Sequence, residues 1–141
     1  MSELELTVNR TISASRERVF NAWLSPEMLA KFMRTPTGSE LSKVTNDPVK
    51  GGRFSILMLA AGKEIPHGGT YLEIDPHSRL SFTWESPYSL DDSVVTIDLA
   101  ETTPGKTEIT LKQVKFRSEE ARDGHIGGWN SILDNFEKSL G

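Results

Sequence analysis

The sequence has no cysteine. Without thiols there is no cysteine nucleophile, no zinc–thiolate site and no disulfide framework. It has no basic excess either. Lys plus Arg number 16 against 20 Asp plus Glu, a formal net charge of −4, and the pI is near 5.4. The positive footprint of a general nucleic-acid binder is missing. Long apolar runs are absent too. The longest, Ile56 to Ala61, is six residues, far short of the ~20 that cross a bilayer. The N-terminus lacks the basic-then-apolar pattern of a secretory signal. These absences predict a cytoplasmic protein with no membrane span and no nucleic-acid partner. Repeats, low-complexity tracts and linkers are also missing, and glycine and proline fall between periodic segments as turn punctuation does.

What is present suits one domain over residues 1–141. The chain is 36% hydrophobic and 26% charged. A chain of this length buries roughly 70% of its unfolded surface and needs no metal to fold. Leu4, Leu6 and Val8 alternate with Glu5, Thr7 and Asn9, which predicts a half-buried strand. The period then changes. Ser15 suits a helix cap, and Val19, Phe20, Trp23 and Leu24 form one apolar helical face. Ser25 and Pro26 suit the start of a second short helix carrying Met28, Leu29, Phe32 and Met33.

From Ser39 onward the pattern is β. Strands are expected at Leu41 to Asn46, after Gly51-Gly52, at Thr70 to Asp75 after Gly68-Gly69, at Leu80 to Trp84, around Val95 to Leu99, and from Ile109 toward Phe116. Leu57 and Leu59 sit in the opposite phase to Phe54, Ile56 and Met58, so that strand is expected to be covered on both faces. Ser86 to Asp92 reads as a loop, and Thr103 to Lys106 as a type II turn with Gly105 at the position needing positive φ. Trp129, Ile132, Leu133, Phe136 and Leu140 predict a long amphipathic C-terminal helix, with Asp134 and Lys138 as a supporting pair on it. Gly124, Gly127 and Gly128 weaken or interrupt its start. Consecutive strands with segregated helices imply an α+β fold: a curved antiparallel sheet of six to seven strands with two short helices and one long C-terminal helix packed across it.

This order resembles the helix-grip fold of the START-related (SRPBCC) superfamily and, more narrowly, homologues of the heat-shock-protein-90 ATPase activator. Four stretches carry the resemblance: Arg10 to Ser15 with Val19 to Trp23, Val49 to Phe54, Gly69 to Pro76 followed by Arg79 to Trp84, and Gly128-Trp129 with Ile132-Leu133. One departure is Lys31-Phe32-Met33, where such proteins often carry tryptophan, and it implies a reshaped rim. The resemblance implies a cavity between sheet and C-terminal helix that takes an apolar or amphipathic small molecule. It also implies, as alternatives, a co-chaperone-like protein whose partner is a chaperone ATPase, or a cyclase or hydrolase acting on an apolar ligand. Fold alone does not choose among them.

The candidate ligand-binding residues are the inward-phased Phe54, Ile56, Met58, Tyr71, Phe82, Trp84, Val95 and Ile97 of the strands, with Trp129, Leu133 and Phe136 of the helix. Each is equally at home in an ordinary core, where burial stabilises by ~1.5–3 kcal/mol. Tyr71, Trp84 and Trp129 stand out because a polar tip on a flat ring suits an amphipathic ligand. His67, beside Gly68-Gly69, is the candidate polar cavity group, weighed against an exposed loop histidine. His77 is expected in solvent, and His125 at the surface or at a pocket edge. The histidines stand 10 and 48 residues apart with no His-Glu-x-x-His, so no metal is expected. The glycine pairs lack dinucleotide-fingerprint spacing, and no cofactor is implied. Glu73, Glu85 and Asp98 are expected on the solvent face unless a bulge flips the strand. No serine shows a nucleophile-elbow context, and no catalytic residue is assigned.

Overall fold

Alternation at the N-terminus makes the first strand, β1 (Glu5–Ile12), which buries Leu6, Val8 and Ile12 and leaves Glu5, Thr7, Asn9 and Thr11 outside. The structure is a computed structural model that describes residues 4–33, 43–60, 63–85, 93–116 and 118–140. Helix α1 (Arg16–Leu24) starts where the Ser15 side chain accepts the backbone N–H of Arg18 at 3.2 Å. It buries Val19, Phe20, Ala22 and Trp23. Ser25 caps α2 (Pro26–Phe32) in the same way, accepting from the Met28 N–H, with Pro26 in the first turn where its missing N–H costs nothing.

The strands follow as β2 (Lys43–Asn46), β3 (Arg53–Ala60), β4 (Lys63–Asp75), β5 (Arg79–Thr83), β6 (Val94–Thr103) and β7 (Lys106–Val114), and α3 (Glu119–Leu140) closes the chain. They form one sheet of seven strands in the order β1-β7-β6-β5-β4-β3-β2, and every pairing is antiparallel. The expected start of a strand at Leu41, the loop from Ser86 to Asp92 and the side chain of Leu59 lie outside the described residues. Leu57 is half-buried. Gly105 has φ +82° in the β6–β7 turn, as a type II turn demands.

Three features differ from the sequence pattern. First, β4 begins at Lys63, so His67, Gly68 and Gly69 lie inside a strand and not ahead of one. Gly69 is there for space. A Cβ on it would overlap the Thr83 carbonyl oxygen and lie 2.8 Å from Cε1 and Cζ of Phe54, whose ring rests on bare backbone. Second, the register of β4 against β5 shifts between Tyr71 and Glu73. In an unbroken strand these two would share a face; the bulge buries Tyr71 and exposes Glu73.

Third, α3 runs unbroken through its three glycines, and among the described residues nothing lies within 4 Å of a Cβ built on any of them. Its later turns carry the packing. Leu133 and Phe136 are fully buried. Asp134 turns to β1 and not to Lys138: Arg10 Nη1 donates to Asp134 Oδ1 at 2.6 Å and to Glu137 Oε1 at 2.9 Å. Ser118 Oγ accepts the Ala121 N–H at 3.1 Å and caps the helix start.

Candidate functional site

All eleven candidate lining residues are buried in one core: Phe54, Ile56, Met58, Tyr71, Phe82, Trp84, Val95, Ile97, Trp129, Leu133 and Phe136. The structure does not give them one role. Phe54, Ile56, Tyr71 and Phe82 form the sheet wall of a small cavity. The opposite wall is Trp23, Leu29 and Met33, from α1 and the end of α2. The expected cover, the long C-terminal helix, contributes no side chain to it. The space open to the centre of a water molecule is only about 10 Å³, roughly what one water needs.

Two polar groups belong to residues of this wall. Asn46 Nδ2 donates to the Tyr71 hydroxyl at 3.1 Å and to the Leu24 carbonyl at 2.8 Å. Burial pushes the Tyr71 phenol above its ordinary value, against the pull of the Asn46 hydrogen bond. It therefore stays protonated at neutral pH and can hold a hydrogen bond, but it is no base. The second group is Trp23 Nε1, buried with no hydrogen-bond partner among the described residues. An unmet buried donor costs about 1–3 kcal/mol. The Trp23 ring packs against Phe32 at 4.9 Å and Phe136 at 5.5 Å between centroids.

Trp84 and Trp129 form a neighbouring cluster, their rings 4.9 Å apart. His67 lies on Trp84 at 5.2 Å and does not line the cavity. Its Nδ1 donates to the Ile65 carbonyl at 3.1 Å, which leaves Nε2 as the acceptor of a neutral ring. Burial, with the charge of His125 as a smaller contribution, holds His67 below its ordinary value despite that hydrogen bond. Trp84 Nε1 is buried and, like that of Trp23, has no partner among the described residues.

Trp129 is different. Its Nε1 donates to Gln113 Oε1 at 2.7 Å, Gln113 Nε2 donates to Ser93 Oγ at 2.9 Å, and Ser93 Oγ donates to the Val114 carbonyl at 2.8 Å. This chain fixes α3 to β7 through fully buried polar groups. Apolar periodicity does not find such a relay, although a signal is there: Gln113 falls in the inward phase set by Ile109 and Leu111.

The other two histidines are partly covered. His77 is not in open solvent, since its ring meets the Phe20 edge at 5.5 Å. His125 stacks on Phe116 at 5.1 Å and its Nδ1 donates to the Ala121 carbonyl at 2.8 Å. Met33 and Phe32, at the departure from the family pattern, are buried, and Met33 is a wall of the cavity. Glu73, Glu85 and Asp98 face outward and pair with arginines. Arg53 holds both oxygens of Glu85 at 2.9 Å, and Arg79 Nε donates to Asp98 at 2.6 Å. Arg53 holds the Glu85 carboxyl below the usual range. Among the described residues, no three His, Asp or Glu side chains group so as to hold a metal ion. No helix there is long and apolar enough to cross a membrane.

Residues 13–141 match the family described as Activator of Hsp90 ATPase homolog 1-like protein. Among solved structures, a protein from Chromobacterium violaceum is similar at 25% identity, with a TM-score of 0.79 over 95% of this chain and 95% of that one. A protein from Mesorhizobium loti is 26% identical, with a TM-score of 0.78 over 97% of this chain and 96% of that one. A solution structure from Cytophaga hutchinsonii is 26% identical, with a TM-score of 0.77 over 99% and 96%. No curated protein matches the chain.

Proposed function

The chain belongs to the family of Activator of Hsp90 ATPase homolog 1-like proteins, and we propose that it binds an apolar or amphipathic small molecule inside the domain without transforming it. The carrying observation is the cavity between the sheet and α1–α2, lined by aromatic and aliphatic residues whose polar side-chain groups are the Tyr71 hydroxyl and the Trp23 N–H. A few polar groups in an apolar wall orient a ligand. At about 10 Å³ the space is smaller than any such ligand, so binding moves side chains. Met33 is unbranched and adaptable, and Phe54 lies on a glycine.

Mass spectrometry of the purified protein, native against denatured, tests this. A bound mass released only on denaturation supports it and weighs the ligand. No bound mass, together with no rise in melting temperature with saturating octane, octanol or naphthalene, sinks it.

Family membership favours a second reading, a co-chaperone-like protein that modulates a heat-shock ATPase. Among the described residues the exposed large hydrophobics are Val49 at 54% and Leu72 at 41%. They sit on adjoining backbone, since the Gly51 N–H bonds the Tyr71 carbonyl at 2.8 Å. Micromolar retention on a purified heat-shock ATPase, lost in Val49→Asp/Leu72→Asp, would establish it; no retention would remove it.

A further inference from the structure

Two buried indole N–H groups, Trp23 Nε1 and Trp84 Nε1, have no hydrogen-bond partner among the described residues, while the third, Trp129 Nε1, is bonded to Gln113. Protein interiors satisfy nearly all their buried donors. Two orphans of one kind in one aromatic region ask for a common cause. Phe54 connects them. It shares the cavity wall with Trp23, and its ring centroid is 6.4 Å from that of Trp84. The Phe54 ring rests on the bare backbone of Gly69 and packs against the Tyr71 and Phe82 rings, each 5.3 Å away between centroids. If that ring turns aside, the cavity extends from Trp23 toward Trp84.

We infer that the interior takes an elongated, uncharged molecule with an apolar body and an acceptor oxygen at each end, one end bonded by Trp23 and the other by Trp84, with Phe54 displaced. This rests on the ligand-binding reading above and names the ligand class. The ends are acceptors because an indole N–H only donates. They are neutral because, among the described residues, no charged side chain lines the cavity, and a carboxylate there would be buried without a counter-charge. Esters, ketones and ethers fit; fatty acids do not.

The test uses the full-length ¹⁵N-labelled chain and its indole N–H signals, one for each of its 3 tryptophans. Trp23→Phe, Trp84→Phe and Trp129→Phe assign them. The probes are octane, methyl octanoate and dimethyl octanedioate, with no, one and two acceptor ends. Each ester end is expected to tighten binding about tenfold. The diester moves the Trp23 and Trp84 indole protons downfield and leaves Trp129 in place. Trp23→Phe lowers diester affinity to that of the monoester and leaves octane unchanged, and Trp84→Phe gives the same result from the other end should the first variant not fold. Octane binding with no gain from the esters and no indole shift overturns the inference and leaves ligand binding standing. Both indoles showing a bound water in the diester-saturated protein overturns it as well. No binding of any of the three probes defeats the ligand-binding reading itself.

Discussion

Replacing Gly124, Gly127 and Gly128 together by alanine should raise the melting temperature by about 8–10 °C. All three lie inside α3 and none has positive φ. Among the described residues nothing lies within 4 Å of a Cβ on any of them, so the new methyl groups meet no neighbour there. Glycine is about 0.8–1 kcal/mol worse than alanine at each interior helix position. The three changes therefore add about 2.5–3 kcal/mol. Unfolding entropy of about 2.1 cal/mol/K per residue gives a 141-residue chain roughly 0.3 kcal/mol/K, and the ratio is the expected shift. Circular dichroism melts at fixed pH measure it. Gly105→Ala is the control: the same chemical change at φ +82° should lower stability by roughly 1 kcal/mol. A triple variant that melts at or below the parent, with the control behaving as stated, would refute the reasoning. It would mean that the start of α3 is not helical in the native protein or that something covers it.

Gln113→Leu should cost at least about 2 kcal/mol in urea unfolding, because it strands the buried Trp129 N–H and takes a partner from Ser93. Gln113→Leu/Trp129→Phe should recover part of that loss, since both ends of one bond are then gone. Gly69→Ala should cost about 2–3 kcal/mol, because its methyl overlaps the Thr83 carbonyl and the Phe54 ring. Burial holds His67 below its ordinary value of 6.5. The unfolded chain therefore binds more protons in that window, and stability falls as pH drops from about 7.5 to 5. His67→Phe should flatten that slope in melts at the two pH values, and an unchanged slope would show that His67 is not the group responsible.

Strands with clean alternation are legible in the sequence because one face of each is wet and the other dry. β1 and β7 are the clearest, as the burial of Leu6 and Val8 and of Ile109 and Leu111 shows. The helix caps at Ser15 and Ser25 are legible for a local reason: their hydroxyls meet N–H groups three residues on. The start of β4 is not. His67-Gly68-Gly69 carries turn chemistry, and only the distant Phe54 ring and Thr83 carbonyl explain glycine at position 69. Nor is the continuity of α3, where the apolar face from Trp129 to Phe136 outweighs three poor helix formers. The inward set is readable from phase, but its partition is not. Which rings enclose space and which fill it depends on how α1 and α2 lie over the sheet. The apolar faces of Trp23, Leu29 and Met33 are visible as helix stripes, with nothing in the pattern to say that they oppose Phe54 and Tyr71.

The register shift at Leu72 splices two reading frames within one strand. Tyr71 closes the first frame facing the interior, and Glu73 opens the second facing water. Leu72 is the spare letter between them, which is why so large an apolar side chain stands in the open. Deleting it would leave both neighbours on their own sides, because adjacent strand residues face opposite ways. Pairing the same letters without the splice would be different. Phenol and carboxylate would then share the dry side, and an interior lined by apolar side chains would acquire groups that move protons. One spare residue thus keeps a carboxylate out of the apolar interior, and at this point of the chain length and pairing govern the chemistry of the interior more than the identity of any wall residue does.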